Sequence, residues 1–231
     1  MIRILFQGDS ITDGNRYKDP ESRWDLNHQI GHSYVFSVVG ELGLKNPGKY
    51  AFINRGLSGD SIKSIPARWE RDTLEENPDV LSILLGINGN GNFDGKYPEG
   101  VDEHLRLFEE GYRNILNSAR EKNPELKLII IEPFALPVRT LKEHYDDFLP
   151  IFRKKQEIIR TIAEDYNAVF VPIQEGLEQL VKEYTAEIVK NGWPNDPLEY
   201  WMWDGIHPTE PMHRYIADRW LEATADLLKN I

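Results

Sequence analysis

A three-layer α/β/α sandwich around a five-stranded parallel sheet is the fold class that the sequence predicts. Five short apolar runs alternate with segments whose apolar residues recur at helical spacing. In the run 79–85 every residue after Asp79 is apolar except Ser82, the pattern of a strand covered by helices on both faces. Each strand needs a crossover of a dozen residues or more to reach a parallel neighbour, and a helical segment is available each time. Right-handed connections and the flavodoxin-like strand order 2-1-3-4-5 follow as the expected topology.

The first strand is Ile2 to Gln7, and it stops at Gly8-Asp9-Ser10. A charged, irregular stretch from Asn15 to Gly31 reads as a surface loop over the serine. Tyr34, Val35, Val38, Val39 and Leu42 then mark an amphipathic helix over about 33–43, with Gly43 as its stop. The second strand is 51–54, running into Arg55-Gly56-Leu57-Ser58-Gly59-Asp60-Ser61, a tight turn before a helix carrying Ile62, Ile65, Trp69 and Leu74. The third strand, 79–85, ends in Gly86-Ile87-Asn88-Gly89-Asn90-Gly91. After a polar loop comes a helix with Leu105, Phe108, Tyr112, Ile115, Leu116 and Ala119 on one stripe. The fourth strand is 126–131. The next helix covers about 146–166, the fifth strand 168–171, and a further helix presents Leu177, Leu180, Val181, Tyr184 and Ile188. A loop rich in Pro and Trp, 192–208, leads to a terminal helix with Tyr215, Ile216, Trp220, Ala223 and Leu227.

Composition narrows the function. The 231 residues are 40% hydrophobic and 28% charged, which suits one domain over 1–231 with a full core, and no repeat or linker divides them. With 0 Cys there is no disulfide, thiolate metal site or cysteine nucleophile. A net charge of -11 disfavours nucleic acid and anionic membrane surfaces as partners and favours a neutral substrate. Only Ile4-Leu5-Phe6 are uninterrupted apolar residues near the start, too few for a signal peptide, and no run approaches a membrane span. A cytoplasmic protein is the expectation, with no cofactor and no metal. His28 and His32 lack the accompanying Glu of a zinc helix, and His104, His144 and His213 are expected on helix surfaces or loops. The oligomeric state stays open, with a homo-oligomer compatible.

In a parallel sheet the C-terminal ends of all strands share one edge, so Ser10, Gly59, Asn88 and the segment Asp204-Gly205-Ile206-His207-Pro208 should meet there. A serine hydroxyl needs a base within hydrogen-bond reach, and His207 suits that task. Asp204, three positions earlier, can orient the imidazole. The N–H groups of Ser10 and Gly59 and the Asn88 amide are placed to receive a developing oxyanion. Asp9, Trp24 and Trp203 are candidates for the substrate rim. Trp193, Tyr200 and Trp201 crowd the loop that carries Trp203, either as flat faces for a ligand or as staples for the loop.

These segments, taken together, resemble the SGNH hydrolase superfamily of GDSL-type esterases and lipases. Gly8-Asp9-Ser10 matches the nucleophile block, 54–60 the glycine block, Gly86-Ile87-Asn88 the asparagine block and 204–208 the Asp-x-x-His block. The resemblance covers nearly the whole chain and implies a carboxylic ester hydrolase with Ser10, Asp204 and His207 catalytic and Ser10, Gly59 and Asn88 as the oxyanion hole. One departure stands out: Gly89 occupies a position where the superfamily usually has Asp, which bears on the rigidity and aim of Asn88. Ala67-Arg68-Trp69-Glu70-Arg71-Asp72 and Trp203 are similar to the carbohydrate acetyl esterase branch, which includes acetylxylan esterases. That branch implies short acyl groups on a small or oligosaccharide ester. The alternatives are a lysophospholipase or thioesterase of the same superfamily, and, from another class, a non-catalytic flavodoxin-like binding module.

Overall fold

A computed structural model describes residues 1–19, 28–91 and 93–231. Five strands form one parallel sheet in the order β2-β1-β3-β4-β5, as expected: β1 (Ile2–Gly8), β2 (Tyr50–Asn54), β3 (Val80–Leu84), β4 (Lys127–Ile131) and β5 (Val169–Val171). Register places Leu5 beside both Ile53 and Leu81, and Ser82 beside Ile129. Because side chains alternate across a strand, successive residues feed two cores. Ile4, Phe6, Val80, Leu84, Ile129 and Ile131 enter one, and Leu5, Leu81, Ile83, Leu128 and Ile130 the other.

The first core is closed by α2 (Tyr34–Lys45), α6 (Gln174–Lys190) and α7 (Glu210–Ala223), with α8 (Ala225–Lys229) completing the end of the chain. The second is closed by α4 (Val101–Lys122) and the later turns of α5 (Tyr145–Asp165), whose Ile159 and Ile162 are fully buried. The lone polar residue of the third strand has a partner: Ser82 Oγ accepts from the Trp220 indole N–H at 3.0 Å, tying α7 to the middle of the sheet. Among the described residues no helix is long and apolar enough to cross a membrane.

Three local expectations change. Gly43 does not stop its helix. α2 runs on to Lys45, and the Asn46 backbone and side-chain N–H groups both donate to the Leu42 carbonyl. A Cβ at Gly43 would meet no atom within 4 Å, so this glycine answers to no steric demand and only weakens the helix, by ~1 kcal/mol. The segment after the glycine block is not one helix from Ile62 onward. It turns until Pro66, which opens the single α turn α3 (Pro66–Trp69), and continues as a π turn over Glu70–Leu74. Proline fits a first helical position and blocks an interior one. Finally, His104 is buried and His213 half-buried, where exposed positions were expected. His213 Nδ1 accepts the Tyr34 backbone N–H at 3.1 Å, capping α2, and burial lowers its pKa to about 4.

Candidate active site

Strand β1 delivers Ser10 to the sheet edge through a glycine that nothing else can replace. A Cβ on Gly8 would lie 2.3 Å from Thr12 Oγ1 and 2.6 Å from the Leu84 carbonyl oxygen. Beyond it the chain turns at once into the short helix α1 (Ser10–Asp13), started by Asp9, whose Oδ1 accepts the Ile11 N–H at 2.9 Å. Asp9 is therefore not on the substrate rim: it is 0% exposed beneath the serine, and its Oδ2 has no partner among the described residues. Burial raises its carboxyl to about 7.

The distant segment arrives as expected. Ser10 Oγ lies 2.8 Å from His207 Nε2, and His207 Nδ1 lies 2.7 Å from Asp204 Oδ2. A nitrogen facing a carboxylate carries the proton, which leaves Nε2 free to accept from the serine hydroxyl. The other Asp204 oxygen accepts the backbone N–H groups of Ile206 at 2.9 Å and His207 at 2.7 Å. Burial pushes the Asp204 carboxyl up, but these hydrogen bonds outweigh it and hold the pKa below the usual value. The Asp204 hydrogen bond raises the His207 pKa against the opposing effect of burial. Gly205 makes the tight turn between them with φ of +91°, and a Cβ there would lie 2.6 Å from the Val138 carbonyl oxygen.

Gly59 and Asn88 join this edge. Gly59 is exposed with φ of +85°, and a Cβ on it would meet nothing within 4 Å, so it borders open space. Among the described residues neither the Ser10 nor the Gly59 backbone N–H donates a hydrogen bond. One Asn88 amide hydrogen goes to the Asp60 carbonyl at 2.8 Å, leaving the second available.

Two residues that support the loop were not singled out from the sequence for that task. The Arg68 guanidinium, 7% exposed, donates to Asp60 Oδ2 at 2.5 Å, to the Arg55 carbonyl at 2.7 Å and to the Gly8 carbonyl. It fastens the glycine block to the end of β1. Asn54 donates to the carbonyls of Thr12 and Ile30 and accepts the Gly56 N–H, fixing that block to α1. An arginine eight positions beyond a loop aspartate, Asp60, was the available signal for the first.

Of the rim candidates Trp203 is placed at the site. It is 53% exposed, and its ring stacks on that of His207 at 5.4 Å and 21°. Trp24 lies outside the described residues, as does the middle of the Asn15 to Gly31 loop. Trp201 is buried and packs edge-on against Tyr200, which in turn meets Trp193, so these rings staple the 192–208 loop. They also line a cleft of about 400 Å³ with Tyr184, Glu187 and Ile188. Among the described residues no group of three or more His, Cys, Asp or Glu is set to hold a metal ion.

A hydroxyl, an imidazole and a carboxylate in hydrogen-bonded series at the carboxyl edge of a parallel sheet define the site of a serine hydrolase. The chain belongs to the GDSL-like lipase/acylhydrolase family, which it matches over residues 6–215, and it is a carboxylic ester hydrolase. It is 28% identical to an acetylxylan esterase of Geobacillus stearothermophilus, over 95% of this chain and 92% of that protein. Among solved structures, a Parabacteroides merdae protein assigned as a GDSL-like lipase superposes with a TM-score of 0.79 at 32% identity, covering 97% of this chain and 95% of the other. The Geobacillus stearothermophilus acetylxylan esterase Axe2 superposes with a TM-score of 0.71 at 25% identity, covering 96% and 93%.

Proposed function

We propose that the enzyme removes short acyl groups, acetyl above all, from carbohydrate through an acyl-enzyme on Ser10. The observation that carries the mechanism is the unbroken series from Ser10 Oγ through His207 to Asp204, at 2.8 and 2.7 Å. His207 Nε2 takes the serine proton as Oγ bonds to the ester carbonyl carbon. Asp204 stabilises the imidazolium without itself taking the proton. The carbonyl oxygen gains negative charge and is received by the N–H groups of Ser10 and Gly59 and by the Asn88 amide. Collapse expels the sugar alkoxide, protonated by His207. Water, deprotonated by His207, then attacks the acyl carbon and frees the acid and the serine.

Support for the catalytic set comes from Axe2, whose described catalytic variants replace a serine, an aspartate and a histidine, the last two being three positions apart. Support for a sugar ester comes from the likeness to an acetylxylan esterase and from the exposed face of Trp203 beside His207, a flat apolar surface suited to a sugar ring. A net charge of -11 disfavours anionic phospholipid headgroups.

A panel of 4-nitrophenyl esters from acetyl to octanoyl, with acetylated xylo-oligosaccharides, tests the reading on wild type and Ser10→Ala. The expected result is highest turnover for acetyl esters and a loss of roughly 10⁶ in kcat for Ser10→Ala, by the serine-protease precedent. Rates that climb toward octanoyl would favour the lysophospholipase or thioesterase alternative. Equal rates for the two proteins would defeat the mechanism.

A further inference from the structure

Asn88 stands in a loop with little stiffness of its own. Gly89 and Gly91 flank Asn90 with φ of +79° and +58°, and neither offers a side chain to brace the turn. Asn90 itself is 1% exposed and bonded on both ends of its amide. Its Nδ2 donates to the Gly86 carbonyl at 3.3 Å and the Ile87 carbonyl at 2.6 Å, the two residues immediately before Asn88. Its Oδ1 accepts from Tyr97 Oη at 3.3 Å and from Lys155 Nζ at 2.5 Å.

Lys155 comes from α5 and is 1% exposed, with its ammonium 4.8 Å from the centre of the Phe108 ring. Among the described residues it makes no ion pair within 4 Å. The nearby Glu99 carboxylate is taken by Lys63 and His104. Burial lowers the Lys155 pKa to about 7. A buried ammonium without a carboxylate partner destabilises a fold, and a leucine or methionine would fill the same space without that penalty. Here the ammonium is committed to a single amide oxygen, and that amide grips the backbone on which Asn88 is mounted.

We propose that Lys155, acting through Asn90, is a positioning residue for the oxyanion site, holding the Gly86–Gly91 loop so that the free Asn88 amide hydrogen faces the substrate. The proposal rests on the reading of Asn88 as an oxyanion donor given above. Lys155 touches no reacting atom in this scheme. Its effect passes through Asn90 to the carbonyls of Gly86 and Ile87, and thence to Asn88, whose other amide hydrogen is tied to Asp60.

A double-mutant cycle tests it, with kcat and KM for 4-nitrophenyl acetate measured on wild type, Lys155→Met, Asn88→Ala and the double variant. Asn88→Ala is expected to lose about 100-fold in kcat, as for one oxyanion donor. Lys155→Met is expected to lose roughly 10-fold or more in kcat with KM little changed, because the defect lies in aiming a transition-state donor. In the double variant the Lys155 substitution should add little, since the group it aims is gone. Losses that multiply, or a wild-type kcat for Lys155→Met, would overturn the proposal. If Lys155→Met does not fold, Asn90→Asp replaces it in the cycle. That change keeps a partner for the ammonium while removing both donations to the loop, and the same two patterns decide. A wild-type rate for Asn88→Ala would remove the oxyanion reading on which the proposal stands. A failure of the whole esterase reading would show separately, as equal rates for wild type and Ser10→Ala.

Discussion

Asp204 holds His207 at two points: one carboxylate oxygen meets the imidazole Nδ1 at 2.7 Å while the other accepts the histidine's own backbone N–H at 2.7 Å. The ring is thus fixed in tautomer and in direction by a single side chain three positions away. Asp204→Asn would present an amide where a carboxylate is needed and should lower kcat by about 10⁴, by the serine-protease precedent. It should also move the pH profile. Activity requires neutral His207, and the aspartate raises that histidine's pKa from 6.5, so the wild-type acid limb lies above 6.5. Removing the charge should shift the limb to lower pH in a kcat/KM profile. An unmoved limb would mean that another group controls it.

Asp9 links stability to pH. Its native pKa of about 7 lies above the unfolded value of 3.8, so its favourable contribution is complete below pH 3.8 and is lost as pH rises through about 7. The full loss is on the order of 4 kcal/mol at 1.36 kcal/mol per unit. Asp9→Asn keeps an oxygen for the Ile11 N–H and cannot ionise. Thermal unfolding at pH 5 and pH 8 should show Asp9→Asn gaining stability relative to wild type at the higher pH. Parallel behaviour of the two proteins would disprove the assignment.

Two glycines of positive φ should respond differently to a methyl group. At Gly59 the backbone penalty is about 1–2 kcal/mol and the added carbon meets nothing within 4 Å. Stability should fall modestly, while kcat/KM drops by roughly 10-fold or more as the methyl intrudes on the oxyanion position. At Gly205 the same methyl would stand 2.6 Å from the Val138 carbonyl oxygen and 2.7 Å from that of Leu136. Gly205→Ala should therefore lose about 3 kcal/mol of stability and displace the turn between Asp204 and His207. Paired denaturation and kinetic measurements separate the two cases.

Trp203 should discriminate between substrates. It bonds to no reacting group, and its exposed ring lies over His207. Trp203→Ala is expected to raise KM for acetylated xylo-oligosaccharides by roughly 10-fold, about 1–1.5 kcal/mol of aromatic contact, and to change 4-nitrophenyl acetate less. Equal effects on both would assign the ring to loop structure alone.

Much of this molecule can be read along the chain because its determinants are local or periodic. Alternation of five apolar runs with helical stripes set the sheet, its parallel sense and its order. Parallel strands share a carboxyl edge, so Ser10 and His207, 197 positions apart, could be expected to meet. What the chain alone did not settle were matters of depth and support. Asp9 and His104 look like ordinary polar residues in sequence, yet both are buried, and His213 is half-buried, because burial depends on which elements pack above them. The brace on Asn88 was equally hidden: Lys155 and Asn90 are 65 positions apart and match no spacing rule. A nucleophile, a base and their strand ends are announced by residue type and periodicity. The groups that aim them are chosen by three-dimensional packing, where a side chain from any part of the chain can supply the missing bond.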